Sequence, residues 1–144
     1  LATRDEAADA IRTMVVRGAP LIGVTAAYGV ALALRDDPSD ESLDDAVRVL
    51  NATRPTAVNL AWALARMRRA LAPLPPSARH EAALAEAAAL ADEDVAMCEA
   101  IGVHGAALIQ AVHARTGRPV NVLTHCNAGW LATVDWGTAL SPVY

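Results

Sequence analysis

Residues 17–34 read Arg-Gly-Ala-Pro-Leu-Ile-Gly-Val-Thr-Ala-Ala-Tyr-Gly-Val-Ala-Leu-Ala-Leu, and no charged residue follows Arg17 in this stretch. A proline suits the first turn of a helix, where its missing N–H would have had no partner. Pro20 therefore predicts a helix that runs to about Leu34. The apolar run from Thr25 onward is shorter than the roughly 18 residues of a membrane span, so it indicates a buried helix.

Capping signals on either side of this helix predict its neighbours. Thr3-Arg-Asp-Glu6 has the spacing of a capping box, in which Thr3 and Glu6 would satisfy the first free N–H groups. A helix should follow to about Met14. Beyond Leu34, Ser39 or Asp40 can cap another helix whose first turn is acidic.

Prolines divide the next part of the chain. Thr53-Arg-Pro-Thr56 ends the preceding helix, and Thr56 can cap a helix over 57–71. After the proline-rich linker 73–76, Ser77 can cap a long helix to about Ala114. Within it, Gly102 and Gly105 predict close contact with another element.

The composition changes after Pro119. Val120-Asn-Val-Leu123 is short and β-branched and predicts a strand. We therefore expect a mainly α N-terminal helical domain, residues 1–117. It should lead into the first strand of an α/β, Rossmann-like domain, residues 118–144, which this chain contains only in part.

Composition limits the kinds of function. Hydrophobic residues make up 54% of the 144 residues and aromatic residues only 3%, so the core should be aliphatic. The net charge of -4 and the absence of a basic, aromatic cluster argue against a nucleic-acid partner. No signal peptide or membrane span is evident. The two cysteines form no disulfide framework, which favours a reducing, cytoplasmic location.

Two junctions between helices could carry chemistry, and the first of them is a natural anion site. The helix that begins near Pro20 leaves N–H groups free at the positive end of its dipole, and Gly18 allows a ligand to approach the backbone. Arg17 can add a bidentate contact to phosphate. At the second junction, Pro55 favours an extended conformation for Arg54, which can project its side chain beyond the next helix. Ordinary capped turns would produce the same local patterns.

A third junction contains His125-Cys126-Asn127, just after the predicted strand. Small-molecule sites in α/β proteins lie at the carboxyl ends of strands, so Cys126 can face a substrate. A buried structural cysteine is the alternative. A zinc site using both cysteines with His104 and His125 fits no common ligand spacing. We expect neither a metal nor a cofactor.

Three motifs occur in the same order as in one known family. Residues 14–23 (Met-Val-Val-Arg-Gly-Ala-Pro-Leu-Ile-Gly), 52–60 (Ala-Thr-Arg-Pro-Thr-Ala-Val-Asn-Leu) and 123–129 (Leu-Thr-His-Cys-Asn-Ala-Gly) together resemble S-methyl-5-thioribose-1-phosphate isomerases. This family belongs with the regulatory α, β and δ subunits of translation initiation factor 2B. The resemblance covers nearly the whole chain.

The resemblance implies an aldose-ketose isomerase of methionine salvage, which converts S-methyl-5-thioribose 1-phosphate to S-methyl-5-thioribulose 1-phosphate. It implies that Arg17, Gly18, Ala19 and Arg54 bind the substrate and that Cys126 is catalytic. It also implies a homodimer.

In that family an aspartate general acid, a glutamine and an Asn-Lys pair lie further downstream. This chain contains no lysine and ends at Tyr144. We therefore expect an incomplete site that is inactive by itself. A ribose-1,5-bisphosphate isomerase and a non-catalytic regulatory subunit are the alternatives.

Overall fold

The computed structural model describes residues 1–144 and consists of helices and irregular segments. Five α-helices are followed by two short 3₁₀ segments. Their bounds are α1 Arg4–Arg12, α2 Ala19–Asp36, α3 Asp40–Asn51, α4 Val58–Leu71 and α5 Pro76–Thr116, with the 3₁₀ segments at Trp130–Ala132 and Thr138–Val143. The mainly helical prediction is confirmed.

Helix α2 is the centre of the domain and packs against each of the other four α-helices. Ten of its residues are buried, namely Ile22, Gly23, Val24, Thr25, Ala26, Ala27, Gly29, Val30, Ala31 and Leu34. A helix that is apolar on nearly all sides must be enclosed by other elements. The prediction of a buried helix here is therefore confirmed.

Two of the predicted caps are present. The Glu6 N–H donates to Oγ1 of Thr3, and the Ser42 N–H donates to Oγ of Ser39. Both helices also begin with acidic residues, which the positive end of a helix dipole stabilises.

The predictions that Thr56 and Ser77 act as caps are wrong. Ala57 is the N-cap of α4 and Pro75 that of α5, and neither helix start has a side-chain hydrogen bond. Thr56 lies one residue too early. Ser77 lies inside α5, because Pro76 is already suited to the first helical position.

Helix α5 packs against the rest of the domain through one face. Its buried residues recur every three or four positions: Arg79, Ala83, Ala87, Leu90, Asp94, Cys98 and Gly102. By length and apolar composition alone α5 could also cross a membrane. Its buried face instead packs against α2, α4 and the second 3₁₀ segment.

Arg79 fixes the start of α5 to the loops beside it. Its guanidinium donates to the carbonyl oxygens of Leu74 (3.0 Å) and Pro38 (2.9 Å) and pairs with Asp40. The Arg79 side chain is 4% exposed. A buried cation needs such partners, because an uncompensated one would carry a large desolvation cost.

The predicted strand at 120–123 is absent. Residues 119–128 form no backbone hydrogen bonds to the rest of the chain. A strand depends on a neighbouring strand for its hydrogen bonds, and none is present here. The α/β part of the fold, and the domain boundary at 117/118, therefore remain predictions.

Residues 129–144, called here the C-terminal segment, fold back onto the helices. The Gly129 N–H donates to the Gly137 carbonyl oxygen, and Oγ1 of Thr133 accepts from the Gly137 N–H. A Cβ added to Gly102 would lie 3.1 Å from the Ser141 carbonyl oxygen, and one on Gly105 only 2.3 Å from Pro142. These two glycines of α5 do mark a close contact, as predicted.

Candidate functional site

The N-terminus of α2 presents free backbone donors. Gly18 is its N-cap, with a φ of 97°, and no side chain caps the helix. Within the chain, the N–H groups of Gly18, Ala19 and Leu21 have no acceptor, whereas Ile22 donates to the Gly18 carbonyl oxygen. Free N–H groups and the helix dipole together attract an anion.

The N-terminus of α4 has the same character. Its N-cap, Ala57, offers no side-chain oxygen, and its first turn contains no acidic residue. The N–H groups of residues 58–60 have no acceptor within the chain. This contrasts with α1 and α3, whose first turns are capped and acidic. The start of α5 is also uncapped and without acidic residues in its first turn, but only the starts of α2 and α4 follow the predicted arginines, Arg17 and Arg54.

A direct contact brings these two helix starts together. Nδ2 of Asn59 donates to the carbonyl oxygen of Ala19 at 2.7 Å. One turn further on, a Cβ on Gly23 would lie 2.9 Å from that nitrogen and 3.3 Å from Cβ of Ala63. The absence of a side chain at Gly23 thus allows α2 and α4 to touch. Sequence reasoning assigned Asn59 no role, although it lies within the second motif.

Arg17 and Arg54 have no carboxylate partner. Seven of the twelve arginines form ion pairs with aspartate or glutamate: Arg4, Arg12, Arg35, Arg48, Arg66, Arg68 and Arg79. Arg17 is exposed and Arg54 is half-buried. Unpaired guanidinium groups beside two open helix starts form a positive region suited to a phosphate.

Cys126 lies between α5 and the first 3₁₀ segment, downstream of both arginine-bearing junctions. Its thiol is free and exposed, and its φ of 70° lies in the left-handed region that non-glycine residues rarely adopt. The neighbouring His125 forms no hydrogen bond with it. The structure thus joins the starts of α2 and α4, which follow Arg17 and Arg54, while Cys126 lies on the separate segment 119–128.

Gly18 has a second role that the sequence did not indicate. A Cβ added there would lie 2.3 Å from both Cα and the carbonyl oxygen of Ala132. The C-terminal segment therefore covers one side of the turn that begins α2. Only glycine fits, because its φ is positive and its outer face is occupied.

An apolar cleft of about 170 Å³ lies beside the two helix starts, between α2, α4 and α5. Its lining includes Pro20, Trp62 and Met97, with Glu93 and Asp94 as its only acidic residues. Arg66 lowers the pKa of Glu93 by hydrogen bonding to it. None of the five predicted site residues lines the cleft.

Cys98 also lines this cleft and is buried. Burial raises the pKa of its thiol, and the nearby Asp94 raises that pKa further. The thiol therefore stays protonated at neutral pH. The four residues of the zinc alternative do not come together, and no group of three or more His, Cys, Asp or Glu residues is arranged to hold a metal ion.

The helical fold is that of a known family of proteins. The sequence pattern of the initiation factor 2 subunit family matches residues 15–140, and the chain belongs to that family. Two solved structures share the fold, each with a TM-score of 0.80 over 99% of this chain. They are translation initiation factor eIF-2B, subunit delta, from A. fulgidus, at 41% identity, and 5-methylthioribose 1-phosphate isomerase from Pyrococcus horikoshii, at 39%.

Relatives with higher identity are methylthioribose-1-phosphate isomerases. The proteins from Methylobacterium nodulans and Acidiphilium cryptum are 68% and 65% identical to this chain over its full 144 residues. The chain spans 39% of the length of each. It likewise spans 42% of the A. fulgidus protein and 40% of the P. horikoshii protein.

The contact at Gly23 yields a prediction about stability. Gly23→Ala places a methyl group against Asn59 and Ala63, and we expect the free energy of unfolding to fall by about 1–3 kcal/mol. Urea denaturation measures the change. In an Asn59→Ala background the same substitution should cost less, since the closest clashing atom is gone. Equal costs in both backgrounds would contradict this account of the contact.

Proposed function

We propose that this chain is the phosphate-binding part of a methylthioribose-1-phosphate isomerase, which converts S-methyl-5-thioribose 1-phosphate to S-methyl-5-thioribulose 1-phosphate in methionine salvage. The observation that carries the proposal is the pairing of two uncapped helix starts, each preceded by an arginine without a carboxylate partner. The isomerase relatives at 61–68% identity support the choice of reaction.

The phosphate is bound between the starts of α2 and α4. The free N–H groups of Gly18 and Ala19 donate to phosphate oxygens, and Arg17 and Arg54 add charge-assisted hydrogen bonds. A hydrogen bond to a charged group contributes about 1.5–3 kcal/mol. Anchoring the phosphate in this way leaves the sugar ring beside the cleft between α2, α4 and α5.

The character of the cleft favours a methylthio sugar over ribose 1,5-bisphosphate. Its walls are mainly apolar, and its acidic residues are Glu93 and Asp94. The one arginine near them, Arg66, is already paired with Glu93 through two hydrogen bonds. A second phosphate would therefore meet negative charge and no free cation, whereas an apolar methylthio group loses little on entering.

The regulatory-subunit alternative has equal support from the fold, because both solved structures match equally well. The exposed free thiol of Cys126, held in the left-handed region, favours an enzyme. Backbone conformations of this kind often accompany functional sites. In the proposed reaction Cys126 acts near C1 and C2 of the substrate, between which hydrogen is transferred.

We propose that the reaction also uses groups from the longer protein. The general acid for ring opening would come from the part that lies outside these 144 residues. We further propose that the longer protein is a cytoplasmic homodimer that needs no cofactor. The negative charge of the chain and the absence of a basic patch support a partner that is neither nucleic acid nor membrane.

Substrate preference tests the proposed function. A full-length protein carrying this chain should isomerise S-methyl-5-thioribose 1-phosphate with a kcat/KM at least about tenfold above that for ribose 1,5-bisphosphate. Steady-state kinetics with both sugars measures the ratio. A preference for the bisphosphate would support the alternative isomerase, and no turnover of either would support a regulatory subunit.

Loss of Arg17 should weaken substrate binding. Removing one charge-assisted contact of about 1.5–3 kcal/mol predicts that Arg17→Ala in the full-length enzyme raises KM roughly 10- to 100-fold, with a smaller effect on kcat. Arg115→Ala is the matched control, because Arg115 is also unpaired and exposed but lies at the far end of α5. An unchanged KM would remove Arg17 from the phosphate site.

Loss of Cys126 should affect turnover instead of binding. We expect Cys126→Ala to lower kcat of the full-length enzyme by at least about 100-fold, since general acid–base groups contribute 10²- to 10⁴-fold, while the fold stays intact. Asn121→Ala, at another exposed position of the same segment, is the control and should leave kcat unchanged. A Cys126→Ala enzyme with normal kcat would exclude a catalytic role.

A further inference from the structure

Asp94 is a buried carboxylate without a cation. It lies on the inner face of α5 and is 7% exposed. Its Oδ2 accepts a hydrogen bond from the Val134 N–H at 2.9 Å, and its Oδ1 accepts one from the Cys98 thiol at 3.7 Å. No arginine, histidine or N-terminal nitrogen lies within 4.0 Å of it.

The buried carboxylate of Asp94 depends on its hydrogen bonds. Burial of an unpaired carboxylate is costly unless donors replace the lost water. The thiol is a weak donor, so the Val134 N–H is the principal compensation. The bond joins residues 40 positions apart, and it ties the C-terminal segment to α5.

The C-terminal segment connects the two parts of the candidate site, the start of α2 and Cys126. Two residues before Val134, Ala132 lies directly against Gly18, at the start of α2. Cys126 lies three residues before Gly129, the residue at which the backbone hydrogen bonds of the C-terminal segment begin. Only three positions separate Cys126 from Gly129, so whatever fixes Gly129 limits where Cys126 can lie.

We propose that Asp94 is a positioning residue, whose carboxylate holds residues 129–134 in place. Ala132 then packs against Gly18, and the C-terminal end of the segment 119–128, which carries Cys126, is fixed. Its consequence for catalysis rests on the proposed function of Cys126. Its structural part does not, because the hydrogen bond and the contact at Gly18 exist independently of any reaction. Asp94 also lines the cleft, but the positioning role proposed here acts through the backbone of residues 129–134.

Amide hydrogen exchange tests the structural part in the full-length protein. Asp94→Ala should speed exchange across 129–137 by roughly 10- to 100-fold and leave α1–α4 unchanged. Asp94→Asn keeps an acceptor oxygen for the Val134 N–H and should stay within about threefold of the parent protein. Asp92→Ala, at an exposed position two residues away on α5, is the matched control.

A second variant removes the other partner of the same bond. Val134→Pro deletes the N–H donor, and the extended conformation of Thr133 (φ -135°, ψ 177°) is one that a residue before proline adopts readily. Val134→Ala keeps the N–H and serves as its control. Val134→Pro should reproduce the local increase in exchange, and combining it with Asp94→Ala should add little. If Asp94→Ala unfolds the whole domain, hydrogen exchange in Val134→Pro shows whether the bond holds residues 129–134.

Kinetics tests the catalytic consequence. Asp94→Ala and Val134→Pro should lower kcat at least about tenfold and raise KM by a smaller factor, whereas Asp94→Asn should restore most of kcat. Unchanged exchange in both variants would overturn the proposal. A kcat that falls as far in Asp94→Asn as in Asp94→Ala, with exchange protected, would overturn it too, because the charge itself would then be needed. If the parent protein turns over no sugar phosphate, the proposed function fails while exchange still tests the hold on residues 129–134.

Discussion

The close approach of α2 and α4 determines where every other part of the candidate site lies. Gly23 has no side chain, so Asn59 and Ala63 of α4 can contact the α2 backbone directly. Asn59 then reaches the Ala19 carbonyl oxygen at the first turn. Small residues at a helix crossing allow the axes to approach, and here the approach occurs at the N-terminal ends. The positive ends of two helix dipoles therefore lie side by side, an arrangement that electrostatic repulsion opposes and that an anion between them would stabilise.

Capping and charged residues are distributed unevenly among the helix starts. At the starts of α1 and α3 a threonine or serine caps the helix and acidic residues occupy the first turn. The starts of α2 and α4 lack both features, and the arginines before them are left without carboxylate partners. A side-chain cap contributes about 1 kcal/mol, and the start of α5 lacks one too, so an absent cap does not by itself mark a ligand site. What distinguishes α2 and α4 is that their starts are in direct contact and that each follows an arginine without a carboxylate partner.

Local signals in the sequence located most of the helices but not the contacts between them. Thr3 and Ser39 were predictable as caps because capping involves residues three positions apart. The strand at 120–123 was predicted from its β-branched residues, yet β-propensity acts only through a neighbouring strand, which is missing here. The roles of Asn59 and Asp94 escaped prediction because their partners, Ala19 and Val134, are each 40 residues distant. The one sign of a role for Asp94 in the sequence was a charged residue among the positions of α5 that recur every three or four residues and are buried.

The family shares this fold between an isomerase and a translation factor subunit, so the helical scaffold alone does not specify the chemistry. In the proposed function the two kinds of site residue lie on different elements. The starts of α2 and α4 bind the phosphate, which does not react, while Cys126 lies on the segment 119–128. Binding energy gained at a remote phosphate can position the reacting carbons only if the reactive residue is itself fixed relative to that phosphate. The C-terminal segment supplies this link, because it contacts the start of α2 through Ala132 and α5 through Asp94, and continues within three residues to Cys126.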